Sequence, residues 1–208
     1  MRIPSGSLSL EGVLHLPEWT PGPAVVVCHP HPLYGGDMHN GVVLGVCRTA
    51  VEEGCVALRF NFRGVGGSEG TYDGGRGERD DAIAAVEWLR SRPEADLSRV
   101  CLAGYSFGAL VACAAAACVP SLAALVLISP PAAAGDLSIP ADTPTLVIAG
   151  DADQFAPADA LRAAVCGDSR TRLELIEGAD HFWWDGAERL FAAVRAFLRE
   201  TLALRDAG

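Results

Sequence analysis

Apolar residues in this chain fall into short unbroken runs, separated by stretches in which they recur at helical spacing. Ala24-Val25-Val26-Val27-Cys28, Cys55 to Phe62, Val100 to Tyr105, Ala124 to Ser129, Thr145 to Ala149 and Leu173 to Ile176 read as strands. Asn40 to Glu53, Gly77 to Arg92, Phe107 to Cys118, Ala158 to Val165 and Ala187 to Leu204 read as helices. Gly77 to Arg92 is the clearest of these. Ile83, Val86 and Leu89 share one face, and the first turn is acidic, which suits the positive end of a helix dipole. Leu8 to Leu16 alternates weakly and belongs to an N-terminal hairpin. Strands that are apolar at every position need cover on both faces. The pattern therefore predicts an α/β fold, a doubly wound and mostly parallel sheet flanked by helices, as one domain over residues 1–208. In such sheets ligands bind at the carboxyl ends of the strands, and chemistry is expected there.

Two copies of G-x-S-x-G stand in the sequence, Gly66-Gly67-Ser68-Glu69-Gly70 and Gly104-Tyr105-Ser106-Phe107-Gly108. Among 23 glycines the pattern alone says little, and context separates the copies. Ser68 follows its strand at a distance and leads into a polar, glycine-rich stretch. Ser106 sits directly between a strand and a helix, the setting of a nucleophile elbow. There the strand and helix backbones nearly touch, so the residues two before and two after the serine must be small. Gly104 and Gly108 meet that need.

A serine hydroxyl needs a base to take its proton. Of the five histidines, His181 stands just beyond the last strand, at the same sheet edge as Ser106. A carboxylate must then orient the histidine. Asp151 and Asp153, just beyond the strand Thr145 to Ala149, both qualify by location. Oxyanion stabilisation needs N–H donors. One is the backbone N–H of Phe107, at the start of the elbow helix. The other should come from the loop after Cys28. Pro30 and Pro32 have no N–H, which leaves those of His31, Leu33 and Tyr34.

Composition removes several other function classes. The balance of 16 basic against 26 acidic residues gives −10. That argues against nucleic acid or an anionic membrane as a partner. The seven cysteines are odd in number and lack a C-x-x-C, so they read as reduced core residues. No apolar signal region opens the chain, and the stretch Leu110 to Pro120 is too short to span a bilayer, which points to the cytoplasm. His29, His31, His39 and Asp37 suggest a metal at first sight. The intervening prolines hold an extended chain that spreads the side chains, so neither metal nor cofactor is expected.

The chain resembles an α/β-hydrolase of the small dienelactone-hydrolase-like type, in particular bacterial hydrolases bearing a His-Pro-His-Pro loop. The resemblance is carried by His29 to Gly36, Asn61 to Ser68, Gly104 to Gly108, Gly150 to Pro157 and Gly178 to His181. The chain order Ser, Asp, His is that of the superfamily. The resemblance implies Asp153 as the acid and the His31 N–H as the second oxyanion donor. It also assigns Ser68 to a structural R-G-x-G-x-S loop. Dienelactone hydrolase uses a cysteine at the elbow, so its lactone chemistry does not carry over to Ser106. His29 is expected to anchor the oxyanion loop and Arg63 to pin loops together. Members of the superfamily often insert a helical lid where this chain has only Pro130 to Pro144, so an open, lidless site is expected. Leu33, Tyr34, Tyr72, Tyr105, Phe107, Phe155, Phe182 and Trp183 are the candidate pocket walls. These features predict a serine hydrolase acting on small acyl esters, with thioesters or lactones as further substrates. The same triad used for acyl transfer or cyclisation is the alternative, and a non-catalytic binding protein is a third.

Overall fold

In the computed structural model, which describes residues 1–131, 137–202 and 204, eight strands form one sheet in the order β1-β2-β4-β3-β5-β6-β7-β8. The strands are β1 (Arg2–Ser5), β2 (Leu8–His15), β3 (Gly22–Cys28), β4 (Val56–Phe60), β5 (Ala95–Tyr105), β6 (Ala124–Ile128), β7 (Thr145–Gly150) and β8 (Thr171–Ile176). The helices are α1 (Gly41–Glu52), α2 (Arg76–Arg90), α3 (Phe107–Ala116), α4 (Ala158–Ala164) and α5 (Ala187–Thr201). The hairpin β1–β2 joins antiparallel to β4, and every pairing from β4 to β8 is parallel. This is the doubly wound α/β architecture read from the apolar runs. The extra strand β1 was not separately legible, because Arg2-Ile3-Pro4-Ser5 is too short and mixed to show a period.

The continuous apolar strands are explained by two cores. In β3, Ala24, Val26 and Cys28 face a cluster with Leu89, Leu102 and Val111, beneath α2 and α3. Val25 and Val27 face the opposite cluster with Val43, Val46, Leu190 and Phe197, beneath α1 and α5. Each large apolar side chain so buried contributes about 1.5–3 kcal/mol. Five cysteines, Cys28, Cys47, Cys55, Cys101 and Cys113, are buried, while Cys118 and Cys166 are exposed. Burial pushes the Cys47 and Cys55 thiols up to about 12, which keeps them inert near neutrality.

The order β4-β3-β5 places a topological switch at β3. The chain leaves β3 for one neighbour and returns to the other, opening a crevice at their carboxyl ends. Ser106, His29 and the segments after β7 and β8 all lie along that edge. Between β6 and β7 the described residues contain no helix. The stretch expected to lack a lid, Pro130 to Pro144, includes residues 132–136, which lie outside the described residues. Among the described residues no helix is long and apolar enough to cross a membrane.

Candidate active site

Ser106 occupies the turn between β5 and α3, with φ 56° and ψ −120°. That conformation is disfavoured for a non-glycine residue by roughly 1–3 kcal/mol and persists only where the surroundings enforce it. The surroundings here are backbone. A Cβ on Gly104 would lie 2.1 Å from the Gly108 carbonyl oxygen. A Cβ on Gly108 would lie 2.5 Å from the carbonyl oxygens of Cys28 and His29. The Ser106 N–H is fixed by the Ile128 carbonyl at 2.8 Å. Ser106 stands at the N-cap position of α3, yet its side chain makes no capping bond. Its Oγ lies instead 2.9 Å from His181 Nε2.

His181, beyond β8, places Nδ1 2.9 Å from Asp153 Oδ2 and 3.0 Å from Oδ1. An ionised carboxylate only accepts, so Nδ1 carries the hydrogen and Nε2 is left bare toward Ser106. Asp153 Oδ1 also accepts the N–H groups of Phe155 and Ala156, both at 2.9 Å. Burial alone would raise the Asp153 carboxyl. Its bonds from His181, Ala156 and the Ser129 hydroxyl, with the charge of His181, outweigh that and hold it below the usual range. Asp151, the other acid at this strand end, is exposed and caps the Gly178 N–H at 2.7 Å. The Tyr105 hydroxyl donates to the His181 carbonyl at 2.7 Å and steadies the loop from below.

The loop after β3 is organised by two histidines. His29 is fully buried. Its Nε2 accepts the Phe62 N–H at 3.0 Å, and its Nδ1 lies 2.7 Å from the Pro30 carbonyl, to which it donates as the neutral ring. Desolvation drives its pKa down to about 4. His31 caps a short 3-10 turn, Pro32–Tyr34, its Nδ1 accepting the Leu33 N–H at 3.2 Å. The Tyr34 N–H goes to the His31 carbonyl at 3.1 Å. Of the three N–H groups open in the sequence, two are thus occupied. Among the described residues, those of His31 and Phe107 have no acceptor. The His31 ring packs on Phe107, Tyr34 and Tyr72 at centroid distances of 4.7, 4.7 and 5.3 Å.

Two expected pocket residues are corrected. Tyr105 and Trp183 are only 4% exposed and lie in the core beneath α1 and α5. Their large rings pack under the His181 loop, and their polar tips bond to it or to Ser129, leaving little surface for a substrate. Leu33, Tyr34, Phe155 and Phe182 are exposed. Phe155 and Phe182 stand 4.7 and 5.6 Å from the His181 ring. A separate open groove of about 420 Å³ runs along Pro32, Leu33, Asp37, Arg63, Thr71 and Tyr72, and includes none of Ser106, Asp153 or His181. Arg63 is engaged by buried Asp81 through Nε and Nη2 at 3.0 and 2.8 Å, so it pins the loop it lies on. Among the described residues no group of three or more His, Cys, Asp or Glu side chains is placed to hold a metal ion. Ser129 was missed. A serine at the end of an apolar strand carries no sequence signal of its bond to the Trp183 indole.

The sequence matches the family described as X-Pro dipeptidyl-peptidase (S15 family) over residues 9–202. It is 37% identical to an uncharacterized protein of Rickettsia prowazekii, over 85% of this chain and 78% of the relative. A solved protein of Xanthomonas campestris, described as an α/β serine hydrolase without lid, is 35% identical with a TM-score of 0.85, covering 100% and 95% of the two chains. A protein of unknown function from Agrobacterium tumefaciens superposes with a TM-score of 0.87 at 29% identity, covering 100% and 98%.

Proposed function

The chain belongs to the X-Pro dipeptidyl-peptidase (S15) family within the α/β-hydrolase superfamily, and from that premise we propose that it cleaves small carboxylic esters through Ser106, His181 and Asp153. The observation that carries the reading is the 2.9 Å approach of the Ser106 hydroxyl to a bare His181 nitrogen, on a turn strained to present it. In the proposed reaction Ser106 Oγ attacks the acyl carbon while its proton passes to His181 Nε2. Asp153 holds the imidazole in the required tautomer and stabilises the imidazolium. The N–H groups of Phe107 and His31 receive the oxyanion. Collapse of the tetrahedral species returns the proton from His181 to the departing alcohol. Water then attacks the acyl-enzyme, with His181 again the base, and releases the acid.

An ester fits the open surroundings. Leu33, Tyr34, Phe155 and Phe182 offer exposed apolar surface, and only a few methylenes can be removed from water there, each contributing about 0.8 kcal/mol. The family description favours a second reading, cleavage of a peptide bond after proline. One panel separates them. p-Nitrophenyl acetate to butyrate should be turned over, with rates flattening beyond butyrate and no jump at the micelle point. X-Pro p-nitroanilides should be poor substrates. Turnover confined to the anilides would overturn the ester reading, and a rate jump at a lipid interface would overturn its restriction to small esters in an open site.

A further inference from the structure

His31 carries one of the two oxyanion donors on its backbone, and its side chain makes three contacts that the reaction as written does not use. Its Nδ1 accepts the Leu33 N–H at 3.2 Å, so the neutral ring carries its hydrogen on Nε2. That Nε2 lies 3.3 Å from the Tyr72 hydroxyl, to which it donates. The ring packs 4.7 Å from that of Phe107, the residue that bears the other donor. Tyr72 completes the stack, 5.3 Å from His31 and 5.9 Å from Phe107. Three segments of chain meet in these rings: the loop after β3, the start of α3 and the stretch between β4 and α2. That last stretch is polar and glycine-rich in sequence, yet it is held firmly. The fully buried side chain of Glu78 accepts the N–H groups of Asp73 and Gly75 at 2.8 and 2.7 Å. A Cβ on Gly64 would lie 3.0 Å from the Thr71 Cα, so the two limbs of the loop run in contact just before Tyr72.

We propose that the side chains of His31 and Tyr72 are positioning residues for the oxyanion site, a brace that fixes the His31 N–H relative to the Phe107 N–H. The proposal rests on the reading of Ser106 and the two donors given above. Bonds inside the loop do not set that relation. The His31 carbonyl accepts the N–H groups of Tyr34 and Gly36 at 3.1 and 3.0 Å, and both donors belong to the same loop. Those bonds shape the turn without seating it on α3. The His31 ring does both. Through Nδ1 it caps the turn Pro32–Tyr34, and through its face and Nε2 it leans on Phe107 and Tyr72, which belong to other elements. The two residues that supply the donors are thus joined by their own rings, with Tyr72 closing the third side. Seating matters because a donor serves an oxyanion only within about 2.7–3.1 Å. A misplacement on the order of 1 Å can cost about 10²-fold in rate. Neither side chain needs to touch substrate for this.

The test compares His31→Ala, His31→Asn, Tyr72→Ala and Tyr72→Phe on p-nitrophenyl butyrate, with near-ultraviolet circular dichroism to establish folding. Propyl trifluoromethyl ketone is the second probe. Ser106 Oγ adds to its carbonyl carbon while the serine proton passes to His181, so the adduct carries the oxyanion without turnover. In His31→Ala, kcat should fall roughly 10- to 100-fold, the scale of a displaced donor. KM should stay within about twofold, because the interaction lost is made only in the transition state. The inhibition constant of the ketone should rise by the same factor as kcat falls. Asn places an oxygen where Nδ1 stood and can accept the Leu33 N–H, so His31→Asn should recover about threefold of the loss, the scale of one neutral hydrogen bond. Tyr72→Ala removes stack and hydroxyl and should lose about tenfold in kcat. Tyr72→Phe keeps the stack and should lose at most about threefold. Unchanged kcat and inhibition constant in folded His31→Ala and Tyr72→Ala would overturn the brace. Losses confined to KM would also overturn it and make the two rings a substrate wall. An Asn variant no better than Ala would overturn the part given to Nδ1. Should the His31 variants not fold, the Tyr72 pair decides the matter. A wild-type chain without esterase activity and unlabelled at Ser106 would remove the parent reading and the brace with it, whereas an active chain indifferent to the substitutions removes the brace alone.

Discussion

Gly66 to Gly70 and Gly104 to Gly108 spell the same five-residue pattern and end in opposite chemical situations. The Ser68 hydroxyl donates to the Asn61 carbonyl at 2.7 Å and accepts the Glu11 N–H at 2.9 Å. Its proton is committed to an amide oxygen that cannot remove it. Glu11 is itself drawn in by the Gly67 N–H and Asn61, which hold its carboxyl below the usual range. The Ser106 hydroxyl faces a histidine nitrogen that can take a proton. The flanking glycines differ in the same sense. Gly66 and Gly70 serve a loop with φ of +54° and +85°, whereas Gly104 and Gly108 let two backbones pass in contact. Three matching residues in five thus acquire meaning only from the element into which the chain then runs. A helix start aims a serine at the sheet edge, and a loop folds a serine back into its own bonds.

The largest effect expected is on turnover. Ser106→Ala should lower kcat by several orders of magnitude, because nucleophile, base and acid act as a unit. Ser68→Ala should leave kcat nearly intact under the same assay. Asp153→Asn should come next, with a loss near ~10⁴ in kcat, since an amide would hold His181 in the wrong tautomer. Asp151→Asn keeps a side-chain oxygen for the Gly178 N–H and should change steady-state rates little. Comparable losses in the two aspartate variants would move the acid elsewhere.

His29 joins the two regions, since its carbonyl presses on Gly108 while its ring accepts the Phe62 N–H at the start of the Ser68 loop. An unfolded chain takes up this proton near 6.5, and the folded chain does so only at about 4. Between those values the unfolded state binds more protons. The stabilising contribution is therefore present above pH 6.5 and lost as pH falls to 4, a change of about 3 kcal/mol. Denaturant unfolding across that window should show the slope, and His29→Gln should flatten it. The smallest effect concerns Ser68→Ala. Leaving buried partners unsatisfied should destabilise the fold by roughly 1–3 kcal/mol, visible as a lower denaturation midpoint. Unchanged stability would deny Ser68 its structural part.

Much of this arrangement was legible in the residues. The strand runs announced a two-faced sheet because the two cores demand it, and strand ends located Ser106, His181 and the pair Asp151 and Asp153 at one edge, with Asp153 preferred only through the family resemblance. Other features were hidden for physical reasons. The positions of Tyr105 and Trp183 misled, because an aromatic beside a candidate site residue can point either way, and only packing decides. The residues alone left the N–H groups of His31, Leu33 and Tyr34 open and only the resemblance favoured His31, because the turn at Pro32–Tyr34, which occupies the other two, has no local signature. The Trp183–Ser129 bond joins residues 54 apart and leaves no trace in local pattern.

The central claim is that the second copy of the pattern, and not the first, holds an activated nucleophile. Labelling the folded wild-type chain with a fluorophosphonate and locating the adduct by peptide mass spectrometry tests it most directly. The expected result is one adduct, on Ser106, undiminished in Ser68→Ala and absent in Ser106→Ala. An adduct on Ser68, or labelling that persists in Ser106→Ala, would contradict it.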